Sequence, residues 1–464
     1  MSGPDRGADG GREFRRSFAA RLVFAVLGLL ATLGTSVVAV RVLDTADAAA
    51  FLAILAALML GPMLGRLGLG PHLIRTVAAA RSEREIAQAV TSHLVAVLLL
   101  SVLTAPLVAF LATPAVREGR GAVVLLVVVL VVAESLRLTV SDVYAAVGRV
   151  GWAVLGTHHV RALCSLLVVL VVVVSADDVD LIAVLLTYTG ASVVLLAVSL
   201  VRLPVRGHGA RIGRLTGLFA IVLAGSQFFA LELGAFLVGR ADVWVAGFSF
   251  SARDALLYSA ASVLAMQVAF VEGLANIALT PVAARLWAAG KRDRVVALLS
   301  ASSTLTTTVT VFGVGVVALA APWLLRLYGD GLEDAAALLT ILAVGALGMA
   351  AFGGCAVLLV ASGNGRAAAL SVVSVLVVMV PVVAVATWWG GPAGLAATSA
   401  SATIALFASY TVACRRAVGR VPLPTFRVVH SIRVIRGGLT ADEDAAAAPA
   451  AGAVGAKAEG TVSR

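Results

Sequence analysis

Glu134, Arg137, Ser141 and Asp142 lie within one otherwise apolar run, AVVLLVVVLVVAESLRLTVSDVYAAVGR. Glu134 and Arg137 are spaced i,i+3, and Ser141 and Asp142 follow about two turns after Glu134, so a helix brings all four to nearly one face. The next apolar run carries His158, His159 and Arg161, with His158 and Arg161 again i,i+3. A charge inside hydrocarbon is costly unless it meets a partner or water, which makes each of these residues a functional candidate. A guanidinium matches phosphate in charge and geometry, so Arg137 and Arg161, with Glu134 and Arg240, are candidate binders of a phosphate-bearing lipid-linked substrate. The competing reading is structural: Glu134 neutralises Arg137 and the pair braces two helices. For His158 and His159, close to the end of their run, an interfacial position fits better than a proton relay.

A second group lies further along the chain. Glu232 sits in SQFFALELGAFLVGR, flanked by Gln227 and Arg240, with Asp242 placed just outside the run. Glu272 and Asn276 are i,i+4, one turn after Gln267. An acidic residue within a span can bind H+ or Na+ and couple a gradient to movement, so Glu232 and Glu272 are candidate ion-coupling residues. Either can also be a buried carboxyl hydrogen-bonded to a neighbouring helix. No catalytic constellation emerges. Cys164, Cys355 and Cys414 share no disulfide or metal-ligand spacing, and no phosphate-binding loop or nucleophile elbow occurs, so no cofactor and no metal site are expected.

These residues need apolar helices to position them. The 464 residues are 61% hydrophobic and 13% charged, against roughly 25% charged in a soluble domain. Twelve stretches suffice to cross a bilayer: residues 18–40, 46–65, 89–112, 121–146, 152–174, 181–201, 215–239, 255–280, 297–320, 335–361, 367–387 and 393–413. The first is too long for a signal-peptide core and is read as a span. The net charge of +10 arises beside the ends of these stretches, so it reads as orientation within membrane lipids and not as a nucleic-acid footprint. Alternate connectors and both tails hold 27 of the 35 Lys and Arg residues, which places both termini on the cytoplasmic side of the cell membrane.

The halves echo each other. Asp47 opens DAAAF and Asp254 opens DALLY; Ala105-Pro106 precedes Gly148-Arg149 much as Ala321-Pro322 precedes Gly365-Arg366. A duplicated six-span unit gives parallel repeats and two lobes around a central cavity. The expected division is a cytoplasmic flank over 1–17, a six-helix lobe over 18–201, a cytoplasmic linker over 202–214 with four arginines, a second six-helix lobe over 215–413, and a tail over 414–464, basic and then disordered. The fold class is therefore all-α integral membrane, with twelve transmembrane helices in two six-helix lobes. Gly61 and Gly65 form a small-xxx-small pair beside Pro62, read as close helix packing with a gate hinge as the alternative.

Several passages carry a family resemblance: VVAVRVLDTADAAAFLAI and GRLGLGPHLIRTVA early on, GRADVWVAGFSFSARDALLYSAASVLA and LTPVAARLWAAGKRDR in the middle, and LLRLYGDGLEDAAALLTILAVGALG with LLVASGNGRAAA later. In that order, the chain resembles the polysaccharide-transporter, or O-antigen flippase, branch of the multidrug/oligosaccharidyl-lipid/polysaccharide exporter superfamily. The resemblance implies a MATE-like, two-lobed flippase that carries an undecaprenyl-pyrophosphate-linked glycan to the outer leaflet. It implies that cavity arginines meet the pyrophosphate, a part that Arg137 and Arg161 would take here. The chain departs from fourteen-span lipid II flippases in having no further pair of spans. A drug or metabolite antiporter on the same fold would prefer an acidic cavity. A membrane glycan polymerase or ligase would need a substantial loop, and the connectors here are short.

Overall fold

The computed structural model describes residue 23 and residues 26–435, apart from positions 81, 115, 117, 118, 148, 177, 204–214 and 426. The expected flank over 1–17, nearly all of the linker over 202–214 and the tail beyond 435 lie outside the described residues. Those described are helical throughout, with no strand among them. The helices are α1 (Val26–Val42), α2 (Thr45–Arg66), α3 (Leu69–Ala79), α4 (Glu83–Ala112), α5 (Arg120–Ala146), α6 (Val150–Leu155), α7 (His158–Ser175), α8 (Leu181–Val201), α9 (Leu215–Ser249), α10 (Ala252–Val268), α11 (Phe270–Ala288), α12 (Arg292–Arg326), α13 (Ala336–Ala361) and α14 (Gly365–Ala417). A 3-10 turn, Leu332–Ala335, leads into α13.

Among the described residues eight helices are long and apolar enough to cross a membrane, or nine if α10 and α11, bent by 43° at Ala269, count as one. The other expected crossings fall on α1, on α9 and on the second limb of α14. Inside α14, Gly391 takes φ 55° and ψ −146°, outside helical geometry. An ideal Cβ on Gly394 would strike the carbonyl of Ala386. Residues eight apart in a straight helix stand about 12 Å apart, so the chain doubles back here without a loop. Trp388 and Trp389, 86% and 85% exposed, mark this end as an interfacial aromatic belt.

Several expected boundaries change. Span 152–174 is two helices, broken at Gly156 and Thr157. The connector expected from Arg240 to Asp254 shrinks to Phe250 and Ser251, because α9 continues to Ser249. Asp242 is therefore buried within the helical region, not outside it. The connector between spans 2 and 3 contains α3, entered through left-handed Leu67 and Gly68.

Packing distinguishes the two faces. We call the face with Arg66, Arg75 and Arg84 the basic face, and the one with Arg41, Arg326 and the Gly391 turn the sparse face. Toward the sparse face one apolar core joins α1, α2, α4, α5, α7 and α8 to α9, α10, α12, α13 and α14. Toward the basic face the core divides, with one cluster in α9 and α11–α14 and smaller ones among α3, α4, α5, α6 and α8; Ile221 and Val222 of α9 pack on the one around Leu69. Asp47 and Asp254, the repeated residues, occupy equivalent first turns behind capping Asp44 and Ser251, and their helices α2 and α10 pack against each other.

Small residues permit this approach. Ideal Cβ atoms on Gly61 and Gly65 of α2 would each stand 2.6 Å from side-chain atoms of Val131 and Ser135 on α5, which bears out the packing reading. On α13, a Cβ at Gly348 would lie 2.7 Å from the Cα of Ile404. A backbone atom cannot step aside, so Gly348→Leu should destabilise the protein by about 1–3 kcal/mol, seen as a lower unfolding temperature in detergent. Gly315→Ala, with open space around it, should leave that temperature unlowered.

Candidate functional site

The polar stripe of α5 faces a fault in its neighbours. Where α6 gives way to α7, the break at Gly156 and Thr157 turns carbonyls toward side-chain donors of α5. Arg137 donates from Nη1 to the Thr157 carbonyl at 2.8 Å. Ser141 donates to the Ala153 carbonyl at 2.6 Å. Asp142 pairs with Arg66 at the end of α2. The stripe that suggested chemistry is thus partly a docking rail for a broken helix.

Glu134 is the centre of this group. Its carboxylate accepts from Arg137 Nη2 at 2.5 Å and Nε at 3.2 Å, and from Ser192 Oγ of α8 at 2.6 Å. Arg161, from the first turn of α7, completes the pairing with Nε 3.2 Å from Glu134 Oε1. Its guanidinium also lies over the Tyr188 ring at 5.3 Å, a cation–π contact. Arg137 is fully enclosed, while Arg161 is 9% exposed. One carboxylate faces two guanidinium groups, so the cluster retains a positive charge.

The two arginines differ in how their donors are used. Arg137 is bonded at Nε, Nη1 and Nη2. Arg161 Nε, despite its ion pair, and Nη1 are buried without a hydrogen-bond partner among the described residues. The same holds for the hydroxyls of Ser165, one turn along α7, and Thr189, beside Tyr188 on α8. Buried donors left without partners are rare in native proteins and point to water or a ligand. His159 lies against Gly28 of α1, and the His158 ring is tilted 47° to its own with centroids 3.9 Å apart.

The other candidates lie in the second half of the chain. Arg240 is 9% exposed, with Nη2 buried and unpartnered among the described residues. Sequence reasoning missed its neighbour. Asp242 accepts from Tyr258 Oη on α10 and Ser399 Oγ on α14, both at 2.7 Å, and from the Val243 amide at 2.9 Å, so one carboxylate ties three helices. Arg240 and Asp242 close together read as a loop boundary, which concealed it. Glu272 sits just past the α10–α11 bend, 5% exposed. It accepts from Asn276 at 2.5 Å and presses on Gly353 of α13, where a Cβ would collide with the carboxylate. Glu232 lies on α9, its side chain outside the described residues. The structure joins Glu134, Arg137 and Arg161 directly; Arg240 and Glu272 occupy separate places.

No protein-family model matches the sequence, and no curated protein does. Solved structures do match in fold. A lipid II flippase, MurJ, in an inward closed conformation is similar with TM-score 0.66 at 11% identity, covering 91% of this chain and 90% of that one. An inward-facing multidrug resistance MATE family transporter of the MOP superfamily gives TM-score 0.60 at 13% identity, covering 91% and 99%. The MATE multidrug transporter DinF-BH in complex with R6G gives 0.62 at 16%, covering 87% and 95%. The chain therefore has this membrane-transporter fold.

The distinct bonding of the arginines is testable by stability alone. Glu134→Ala strands two buried guanidinium groups and should cost about 3–5 kcal/mol, read as a lowered unfolding midpoint. Arg161→Met, which leaves Glu134 bonded to Arg137 and Ser192 and keeps the apolar stem, should lower that midpoint less than Glu134→Ala does.

Proposed function

We propose that the chain is a flippase moving a lipid-linked oligosaccharide or polysaccharide precursor across the cytoplasmic membrane by alternating access. The observation that carries this reading is the unspent cationic capacity at Arg161. Its unpartnered donors lie one turn from the unpartnered Ser165 hydroxyl in a cluster with excess positive charge, a combination suited to phosphate oxygens. In this reading Arg161 contacts the phosphate linkage, Glu134 and Arg137 position it, and Ser165 adds a hydroxyl donor. A cationic drug would meet a carboxylate already committed to two arginines, so the chemistry favours an anionic substrate. A lipid II flippase shares that substrate chemistry, and the MurJ likeness in fold fits it equally.

Alternating access requires a seam that opens. On the sparse face, Ser36 and Tyr328 hydroxyls meet at 2.9 Å, and Arg41 donates to the carbonyls of Leu327 at 2.6 Å and Arg326 at 3.1 Å. Deeper in, Trp244 Nε1 donates to Ala53 O at 3.3 Å. These contacts join α1 and α2 to α9 and the end of α12, closing that face between the halves. Coupling to H+ or Na+ is assigned to Glu272, a buried carboxyl at a helix bend with one amide donor; Glu232 remains the other candidate. The basic face is cytoplasmic in this reading, as are both termini.

In a strain lacking any second flippase, deletion should leave the lipid-linked glycan accessible only on the cytoplasmic leaflet; unchanged export would overturn the reading. Arg161→Ala should reduce transport by at least about tenfold with normal membrane insertion, and Arg161→Lys should restore part of it. A second measurement addresses the seam: a short bis-thiosulfonate bridging Ser36→Cys and Tyr328→Cys should stop transport, and reduction should release it. Continued transport across that bridge would refute opening at this seam.

A further inference from the structure

Beyond Ala417 the chain turns at Gly419 and runs back along the helices it has just left. Arg420 pairs with Asp293 at the start of α12. The Thr425 amide donates to Thr304 Oγ1 at 3.0 Å, and Val421 and Ile435 rest on the basic-side core. Residues 428–435 then form a short helix. Thr304 fixes the depth of this strap. It precedes Arg326 by about 22 residues of continuous helix, or roughly 33 Å. Arg326 and the exposed Trp323 stand at the sparse-face interface, and the hydrocarbon core is about 30 Å thick. The strap therefore lies at the opposite boundary, in the headgroup layer of the basic face.

The short helix is shaped for that layer. Ser431, 1% exposed, faces the protein together with Val428 and Ile435. Val429 and Ile432, 65% and 37% exposed, share one adjoining shoulder, and Arg433 and His430 follow around the helix. Arg427, Val428, Val429, His430 and Arg433 line a shallow cavity of about 350 Å³. No carboxylate among the described residues pairs with Arg427 or Arg433. Arg415 and Arg416, both exposed, end α14 close by.

We infer that residues 427–435 form a binding site for the phosphate headgroups of anionic phospholipids in the basic-face leaflet, with Arg427, His430 and Arg433 as its cationic lining and Val429 and Ile432 as its apolar anchor. Apolar side chains beside arginines at headgroup depth gain from acyl contact and from anionic lipid together. The site is independent of the Arg161 cluster and does not depend on the transported substrate.

The test uses the full-length protein with Cys164→Ser, since Cys355 and Cys414 are fully buried, and a fluorophore on Val429→Cys. It is placed in nanodiscs of phosphatidylcholine alone or with one-third phosphatidylglycerol, each doped with headgroup-nitroxide lipid. Quenching should be at least about twofold stronger with phosphatidylglycerol, and should fall to the phosphatidylcholine level in high salt or in Arg427→Ala/Arg433→Ala. Inorganic phosphate at millimolar concentration and constant ionic strength should not compete. Equal quenching in both discs, or none in either, would overturn the site. Full competition by free phosphate would reassign it to a soluble anion and overturn the lipid source. If the double variant does not fold, the salt dependence of the parent still decides.

Discussion

A carbonyl released inside hydrocarbon must be met by a protein donor, because no water is there to take its place. Much of this molecule's polar interior follows from that requirement. At the break between α6 and α7, Arg137 and Ser141 of α5 donate to the carbonyls of Thr157 and Ala153, the latter also accepting from the Gly156 amide. Arg137 then needs a counter-charge, which Glu134 supplies. Glu134 in turn draws Ser192 from α8 and Arg161 from α7. Three helices, α5, α7 and α8, thereby meet at one carboxylate beside the helix break, and Arg161 keeps donors without a hydrogen-bond partner among the described residues.

The apolar spans were legible because crossing a bilayer needs only a local composition, with no tertiary information. The Glu134–Arg137 contact was legible for a related reason: i,i+3 spacing settles it within one helix. Arg161 could be nominated but not placed, since its approach to Glu134 depends on how α7 leans after the break at Gly156 and Thr157. That break had no signature among so many small and apolar residues. Asp242 was lost to a more specific confusion. A charge pair in an apolar run resembles the end of a span, yet here three helices converge to bury it. At residues 390–392, Gly-Gly-Pro reads as a short loop, and the chain instead reverses about a single non-helical residue.

The two halves are held unequally along their length. Near the sparse face they share a continuous apolar core, reinforced by Arg41, Ser36 and Trp244. Near the basic face, contact between them rests on the first turns of α9. The Glu134 cluster lies past the middle of α5, toward the divided end. Its position gives a ligand approaching from the basic face less packed structure to displace than one approaching from the sparse face.

The shared core also sets a mechanical advantage. α12 is a single helix of 35 residues, about 52 Å long, held at its Arg326 end by that core. If the core serves as a fulcrum, a turn of about 10° carries the far end of such a helix through roughly 9 Å, while atoms beside the pivot hardly shift. Ångström-scale changes around the seam would then admit or exclude a sugar-sized group at the distant mouth. Under that condition the helices that exceed the bilayer's thickness would act as lever arms, their extra length multiplying the movement.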